Sequence, residues 1–250
     1  MHAVITGASS GIGAAIARRL AAEGYDCTLV ARRRDRLEAV AEELSTRTHV
    51  LVADLAAGEA DPIVQEAEGA LGPIDVLVNN AGIQYVQPAH TLDAARLDRM
   101  LGVNLITPWR LTQRVLADMV PRQGGAIVNI SSISGVHPLP GMAHYAGTKA
   151  ALAITSEALR AELAPHGVHV LTVYPGPVHT DMEQTARAAF GADWRARLAP
   201  TGTAERLADH IARALRRRAA RVVYPRAYAP GWWLAGLATS LTLAAAPRLD

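Results

Sequence analysis

The amino-acid sequence predicts a single-domain α/β fold, a doubly wound sandwich with helices on both faces of a central, mostly parallel seven-stranded sheet. Short runs rich in β-branched residues alternate with helical patterns from the N-terminus onward. Two runs, Val76–Val78 and Ile127–Ile130, are almost continuously apolar, as expected of parallel strands buried on both faces. Half of the 250 residues are apolar and 19% are charged, which is typical of a folded globule.

The elements follow one another without an internal repeat or a low-complexity linker. Strands are expected at Ala3–Thr6, Asp26–Ala31, Thr48–Ala53, Val76–Asn79, Ala126–Ile130, Val168–Tyr174 and Arg221–Tyr224. Helices are expected at Gly13–Glu23, Asp35–Ser45, Asp61–Leu71, Ala94–Met119, Ala143–Ala164 and Thr203–Arg218. Residues 1–225 should therefore form one catalytic or binding domain, followed by an apolar C-terminal tail over 226–250.

Charge and cysteine content narrow the functional classes. The formal net charge of +2 is too small to indicate a nucleic-acid partner or an anionic membrane. The single cysteine, Cys27, excludes an intramolecular disulfide and a cysteine-based zinc site, and no ligand-spaced histidine motif predicts another metal. The chain begins directly in strand-like residues without a secretory pattern, which predicts a cytoplasmic protein.

A glycine-rich turn, Thr6–Gly13, joins the first strand to the first helix. Its glycines let the backbone turn sharply and approach a pyrophosphate, while the helix N-terminus offers free N–H groups to the phosphates. The spacing is G-x-x-x-G-x-G rather than the commoner G-x-G-x-x-G. The turn predicts a Rossmann-type nucleotide site whose contacts are Gly7, Ser9, Ser10, Gly11, Ile12 and Gly13.

The residues after the second strand indicate which dinucleotide is preferred. A ribose 2′-hydroxyl usually meets a carboxylate here, whereas a 2′-phosphate requires a guanidinium, which keeps its charge and binds bidentately. Arg32 and Arg33 occupy this position and no acidic residue does. NADP(H) is therefore expected in preference to NAD(H), unless these arginines form only a solvated helix start.

The ends of the third and fourth strands complete the predicted nucleotide site. Asp54, with Leu55 beside it, follows the third strand and is expected to meet the edge of the adenine. The fourth strand ends in small and amide residues that let a flat ring lie against the backbone: Asn80, Ala81 and Gly82. For Asn79 and Asn80, a structural role tying neighbouring strands together is an equal alternative to cofactor contact.

Tyr145 and Lys149 are four residues apart on a predicted helix, so the phenol and the ammonium lie on one face. Lowering a tyrosine pKa from about 10 to about 7 takes roughly 4 kcal/mol. An ammonium roughly 4–5 Å away contributes about 3–4 kcal/mol at an effective dielectric constant of about 20. The pair is therefore a candidate for proton transfer, although such pairs also occur on solvated helices.

Together these motifs resemble the short-chain dehydrogenase/reductase family, and the resemblance extends through about Tyr224. The matching pieces are Thr6–Gly13, Asn79–Gly82, Asn104, Ser131-Ser132, Tyr145 with Lys149, and Pro175-Gly176 with Thr180. The resemblance implies that Tyr145 is the general acid in carbonyl reduction and the base in the reverse direction. It also implies that Lys149 lowers the tyrosine pKa and binds the nicotinamide ribose.

The resemblance assigns the remaining members of the site. Ser132 would hold the carbonyl oxygen; Ser131 and Ser134 are alternatives, but the thirteen-residue interval to Tyr145 matches the family at Ser132. Asn104 would hold a water in a proton relay. Contacts with the nicotinamide end and the pyrophosphate are expected from the segment after the sixth strand: Pro175, Gly176, Val178 and Thr180.

The predicted substrate lid covers Asp181–Pro200. Apolar side chains in it and before Tyr145 indicate a lipophilic ketone, aldehyde or secondary alcohol, unless they pack only on one another. The proposed pocket residues are Ser134, Met142, Met182, Phe190 and Trp194. Three nearby histidines are interpreted as polar surroundings: His137, His144 and His179.

The expected protein is an NADP(H)-dependent oxidoreductase that interconverts a carbonyl and a secondary alcohol. The alternatives are an NAD-linked alcohol dehydrogenase of the same family and a non-catalytic cofactor sensor. The resemblance implies a homodimer or homotetramer. The tail includes Gly231–Ala246, which is shorter than the ~20 residues that cross a bilayer. It is expected to pack over the pocket or a subunit interface, to lie on a membrane surface, or to be loosely ordered.

Overall fold

The computed structural model describes residues 1–190 and 199–230, and within these ranges seven strands form one sheet. The strands are β1 (His2–Thr6), β2 (Asp26–Ala31), β3 (Thr48–Val52), β4 (Val76–Asn79), β5 (Ala126–Ile130), β6 (His169–Pro175) and β7 (Arg221–Tyr224). Their order is β3-β2-β1-β4-β5-β6-β7, and every neighbouring pair is parallel. The predicted doubly wound α/β fold is confirmed.

Helices cover both faces of this sheet. They are α1 (Gly11–Ala21), α2 (Arg34–Glu42), α3 (Asp61–Leu71), α4 (Ala94–Leu101), α5 (Thr107–Met119), α6 (Ala143–Leu163), α7 (Asp181–Ala189) and α8 (Ala204–Arg216). Side chains alternate across β1, so Ile5 packs into the cluster that contains Leu20 and Leu207, and Val4 into the cluster that contains Leu111. The two clusters form the two layers of the core.

The strand order places a crevice at the carboxyl edge of the sheet. The chain runs outward from β1 through β2 to β3 and then returns to the other side of β1 at β4. Connections after β1 and β4 therefore leave the sheet in opposite directions. In open α/β sheets, ligands bind at this topological switch point.

The predicted helix Ala94–Met119 is continuous in space but changes its hydrogen bonding in the middle. A π-helical segment, Gly102–Ile106, separates α4 from α5. Pro108 follows it and has no N–H to donate, and a Cβ atom at Gly102 would lie 2.6 Å from the Ala56 carbonyl oxygen. Close packing at Gly102 and the wider turn bring Asn104 into the interior.

The segment after β6 contains a helix that the sequence interpretation treated only as a lid. Thr180 caps α7 by accepting a hydrogen bond from the Glu183 backbone N–H at 3.3 Å. Beyond β7, a short turn at Arg226–Tyr228 reaches back to the carboxyl edge of the sheet. Trp194 and residues 231–250 lie outside the described residues, so the three interpretations of the tail stay predictions.

None of the described helices combines the length and the apolar character needed to cross a membrane.

Candidate active site

A cavity of about 780 Å³ opens at the switch point. It is lined by residues from the glycine-rich turn, from the ends of β2 to β6, from α6 and α7, and from the turn after β7. Among the predicted nucleotide contacts, the lining includes Gly7, Ser9, Ser10, Gly11, Ile12, Arg32, Arg33, Asp54, Leu55, Asn80, Ala81, Gly82, Tyr145, Lys149, Pro175, Gly176, Val178 and Thr180. The predicted nucleotide end and the predicted catalytic end thus belong to one cavity.

The glycine-rich turn depends on conformations and close contacts that a side chain would block. Gly7 and Gly11 have positive φ angles of 68° and 56°. A Cβ atom at Gly13 would lie 2.3 Å from the Gly7 carbonyl oxygen, so Gly13 allows α1 to pack closely against the turn. Gly13 does not line the cavity, and its role is in shaping the turn rather than in touching a ligand.

Arg33 joins the second strand to the glycine-rich turn. Its guanidinium donates hydrogen bonds to the hydroxyl oxygens of Ser9 at 3.0 Å and Ser10 at 3.2 Å. Ser10 immediately precedes α1, where the first backbone N–H groups of the helix point out of its end. A guanidinium, two hydroxyls and a helix N-terminus therefore converge, which is a donor set that fits a phosphate.

The amides at the end of β4 tie strands together. Asn80 donates from its side chain to the carbonyl oxygens of Thr6 at 2.9 Å and Gly7 at 3.3 Å. Asn79 donates to Asn129 Oδ1 at 2.8 Å and is buried. The structural alternative considered for these asparagines is thus observed, and Asn80 additionally lines the cavity.

Tyr145 and Lys149 are both buried, with 7% and 3% of their surface exposed. The Lys149 ammonium lies 5.9 Å from the centroid of the Tyr145 ring and donates to the Ile130 carbonyl oxygen at 2.8 Å. Burial raises the pKa of Tyr145 to about 12, although its hydrogen bond with Ser132 acts in the opposite direction. Burial also lowers the pKa of Lys149 to about 8.

These shifts correct the argument from spacing alone. The sequence interpretation expected the ammonium to lower the tyrosine pKa, but loss of hydration is the dominant effect on both groups. The spacing argument placed the charges in a medium of intermediate dielectric constant and ignored the cost of burying each of them. The pair by itself therefore does not bring the tyrosine pKa close to 7.

The three candidate serines have different environments. Ser132 is hydrogen-bonded to the Tyr145 phenol, accepts from the Ser134 backbone N–H at 3.1 Å and lies 3.5 Å from the Pro175 carbonyl oxygen. Ser131 donates its hydroxyl to the Lys149 carbonyl oxygen at 2.7 Å. Ser131 therefore anchors α6, whereas Ser132 is the hydroxyl next to the phenol.

Asn104 is completely buried and does not line the cavity. Its side chain accepts from the Ile83 backbone N–H at 2.8 Å, and donates to the Ile83 carbonyl oxygen at 2.9 Å and to the Thr148 hydroxyl at 3.1 Å. These bonds hold the segment after β4 against α6, one residue from Lys149. They use both N–H donors and one acceptor position of the amide, so the side chain ties these elements together.

The opposite end of the cavity has an apolar wall. Met142 packs with Tyr145 and Met100 in a small cluster that also includes Leu139 and Phe190. The predicted pocket residues Ser134, Met142, Met182 and Phe190 line the cavity, as does His137; Trp194 lies outside the described residues. His144 and His179 do not line it. In the described ranges, no cluster of histidine, cysteine and acidic side chains is placed to hold a metal ion.

Arg99 and Tyr228 are among the lining residues that the sequence analysis did not predict. Arg99 on α4 forms an ion pair with Asp54 at 2.8 Å. Tyr228, in the turn after β7, lies over Gly176, where a Cβ atom would be 2.7 Å from its ring. No local motif marks either residue, because each reaches the site from an element whose position depends on tertiary packing.

A parallel sheet of this order, with a phosphate-binding turn and a buried phenol beside an ammonium in one cavity, defines a dinucleotide-binding enzyme. The chain belongs to the short-chain dehydrogenase/reductase family: the family model described as short chain dehydrogenase matches residues 1–190. The resemblance stated from the motifs is therefore confirmed, and the protein is an oxidoreductase of this family.

Known relatives agree with this assignment. A very-long-chain 3-oxoacyl-CoA reductase of Anas platyrhynchos is 36% identical over 198 residues, which are 75% of this chain and 63% of that protein's length. A short-chain dehydrogenase from Sphingobium yanoikuyae, solved with NADPH, is 33% identical with a TM-score of 0.82, covering 96% of this chain and 94% of the other. A 3-ketoacyl-(acyl-carrier-protein) reductase from Brucella melitensis, solved with NADH, is 26% identical with a TM-score of 0.80, covering 89% and 96%.

Proposed function

We propose that the protein is an NADP(H)-dependent oxidoreductase that interconverts a lipophilic ketone or aldehyde and the corresponding alcohol. The observation that carries the proposal is the single cavity that joins the Arg33-Ser9-Ser10 cluster to the Ser132–Tyr145 pair. One extended ligand in that cavity would place its phosphates at the first group and its reactive ring at the second.

The residues at the catalytic end fit proton transfer to a carbonyl oxygen. In the reduction direction the Ser132 hydroxyl donates a hydrogen bond to that oxygen, and the Tyr145 phenol transfers its proton to it as negative charge develops. The bound cofactor supplies the hydride, which becomes the new C–H bond of the alcohol. Lys149 stabilises the phenolate that remains, and the phenolate then recovers a proton from solvent.

Burial of Tyr145 keeps the phenol protonated and, by raising its pKa, makes it a weaker acid. With a pKa of about 12 the phenol keeps its proton at neutral pH, so the general acid is present in its reactive form. The same burial strengthens the hydrogen bonds that hold the developing oxyanion, because water does not compete for them.

The preference for NADP(H) rests on the charges around the second strand. Arg33 is already held against Ser9 and Ser10, and Arg32 lines the cavity beside it. One relative was solved with NADPH and another with NADH, so the family does not decide the cofactor. The alternative is an NAD-linked alcohol dehydrogenase.

A titration of the purified protein with each cofactor tests this preference. Arg33→Ala should weaken NADPH binding roughly tenfold to a hundredfold, the range expected for loss of a charge-assisted hydrogen bond of about 1.5–3 kcal/mol. NADH binding should change little. Arg34→Ala is the matched control, because Arg34 pairs with Glu38 on the outer side of α2 and does not line the cavity. Equal affinity of the unmodified protein for NADH and NADPH would exclude the preference.

Tyr145→Phe tests the reaction itself. The variant keeps the ring that packs with Met142 but has no proton to transfer, so turnover of any ketone that the unmodified protein reduces should fall by at least ~100-fold. NADPH affinity should stay within about threefold. Retained turnover would remove Tyr145 from the mechanism.

We also propose that copies of the chain associate through the outer faces of α5 and α6. Ile154 on α6 is 72% exposed and Trp109 on α5 is 38% exposed, so apolar surface is available on both helices. This association is the one that the family resemblance implies. Sedimentation velocity of the purified protein gives its mass, which can be compared with the mass of one chain. A monomer at micromolar concentration would contradict the proposed association.

A further inference from the structure

The Asp54 carboxylate at the end of β3 is held in one orientation by two other elements. Its Oδ1 accepts from the Ala56 backbone N–H at 3.1 Å, which caps the short turn that follows. Arg99 Nη2 approaches both oxygens, at 3.2 Å from Oδ1 and 2.8 Å from Oδ2. A carboxylate has about four acceptor positions, and these three contacts leave one of them, on Oδ2.

Arg99 reaches this position from the last turn of α4, which the sequence does not connect with the nucleotide site. Its guanidinium lines the cavity together with Asp54. Without Arg99, only the bond from Ala56 would restrain the carboxylate, and the side chain would be free to turn either oxygen toward the cavity. The ion pair therefore determines which acceptor position faces a ligand.

The chemistry of this end of the cavity fits a flat base with a donor group. The Arg33, Ser9 and Ser10 cluster, Tyr145 and Asp54 all line one cavity, so a dinucleotide with its reactive ring at Tyr145 has room to place its other base at Asp54. Small and apolar side chains provide surfaces for a ring: Ala53, Leu55, Ala81 and Val103. Adenine carries an exocyclic amino group, which is a donor, whereas hypoxanthine carries an oxygen at the same place.

We propose that Arg99 is a positioning residue for base recognition: it orients Asp54 so that the remaining Oδ2 position accepts the exocyclic amino group of adenine. The proposal rests on the proposed binding of a nicotinamide adenine dinucleotide. Under this proposal α4 contributes to cofactor selection through Arg99, and it also leads into the segment that contains Asn104.

The test compares NADP⁺ with nicotinamide hypoxanthine dinucleotide phosphate by calorimetric titration of the full chain without substrate. In the second compound an oxygen replaces the amino group and the adjacent ring nitrogen, N1, carries a proton. The unmodified protein should prefer NADP⁺ by about tenfold or more, because the hypoxanthine oxygen faces a carboxylate instead of donating to it. In Arg99→Met, which keeps the length of the stem, the preference should fall below about threefold. Arg99→Lys should give an intermediate ratio, since one ammonium retains the charge but cannot reach both oxygens in the same way.

Arg96→Met is the matched control, because Arg96 lies on the same helix, pairs with Asp93 and does not line the cavity. Its ratio should equal that of the unmodified protein. The proposal would be overturned if Arg99→Met had the same ratio of NADP⁺ affinity to hypoxanthine-analogue affinity as the unmodified protein, even if both bound more weakly. An unmodified protein that binds both equally would also overturn it. If Arg99→Met does not fold, Arg99→Lys and Asp54→Asn give the same readout.

The outcome is separate from that of the catalytic proposal. A protein that selects adenine but reduces no ketone would support the role of Arg99 and remove the proposed reaction. A protein that reduces ketones with NADPH but does not select adenine would support the proposed reaction and overturn the role of Arg99.

Discussion

Replacing Lys149 by methionine should stabilise the fold at neutral pH while removing catalysis. Burial lowers the pKa of this lysine from 10.5 to about 8, so the folded protein holds the charged form at a cost of about 3 kcal/mol relative to water. Methionine has a similar length and no charge. The substitution leaves the Ile130 carbonyl oxygen without its 2.8 Å donor, which costs about 1–3 kcal/mol. The net gain is then at most about 2 kcal/mol.

The pH dependence distinguishes this cause from better packing. Because the folded pKa lies below the unfolded one, the unfolded chain binds more protons between about pH 8 and pH 10.5. Stability of the unmodified protein should therefore gain a favourable contribution as the pH rises through this window. The advantage of Lys149→Met should accordingly shrink between pH 7 and pH 10.

Thermal denaturation at pH 7 and pH 10 measures both effects. At pH 7 the melting temperature of the variant should be higher by up to about 8 °C, given about 2–4 °C per kcal/mol for a domain of this size. Lys149 is the only lysine in the chain, so NMR of protein carrying isotopically labelled lysine shows a single side-chain signal whose titration gives its pKa directly. A midpoint near 10.5, or a variant that is less stable than the unmodified protein at pH 7, would refute the reasoning.

Three further predictions concern the same cavity and its surroundings. Gly176→Ala should destabilise the fold by about 1–3 kcal/mol, because its Cβ atom would lie 2.7 Å from the Tyr228 ring; adding Tyr228→Ala should restore most of the loss, and additive melting-temperature changes would contradict this contact. Ile154→Glu should shift the protein toward monomer in sedimentation while leaving NADPH affinity unchanged, since this side chain is remote from the cavity; an unchanged mass would place any interface elsewhere. Ketone reduction should decline as the pH rises through about 8, where Lys149 loses its proton, whereas Tyr145 with a pKa of about 12 stays protonated; a rate that is flat to pH 10 would show that the ammonium is not required.

The strands of the sheet could be predicted almost completely, because each strand is marked by residues that are close together in the sequence. Each strand is a short apolar run between turn residues, and parallel strands buried on both faces allow few polar positions. Asp26–Ala31 and Ala126–Ile130 have the same bounds in the structure as in the prediction. The glycine-rich turn was equally accessible, because Gly7 and Gly11 adopt positive φ angles that favour glycine and a Cβ atom at Gly13 would collide with the turn.

Features that arise from tertiary packing were not accessible in this way. The periodicity of residues 94–119 is compatible with one long helix, and it reveals neither the π-helical turn nor the packing of Gly102 against Ala56. Arg99 looks like an ordinary surface arginine on an amphipathic helix until α4 is placed beside Asp54. The polar contacts missed by the sequence analysis therefore come from elements distant in the chain.

The Tyr145–Lys149 pair shows why position and energetics need different information. Helical periodicity determines that the two side chains share a face of α6, and this is independent of the rest of the protein. Their pKa values depend on how deeply that face of α6 is buried. The burial depends on packing against β5, where the Ile130 carbonyl oxygen accepts from Lys149, and against the segment that Asn104 holds by hydrogen bonds. Burial moves the two pKa values apart, to about 12 and about 8, so at neutral pH the phenol is protonated, and the lysine is mostly charged although burial disfavours its charge. The sequence thus predicts which groups meet, whereas the surrounding fold decides which of them can give up a proton.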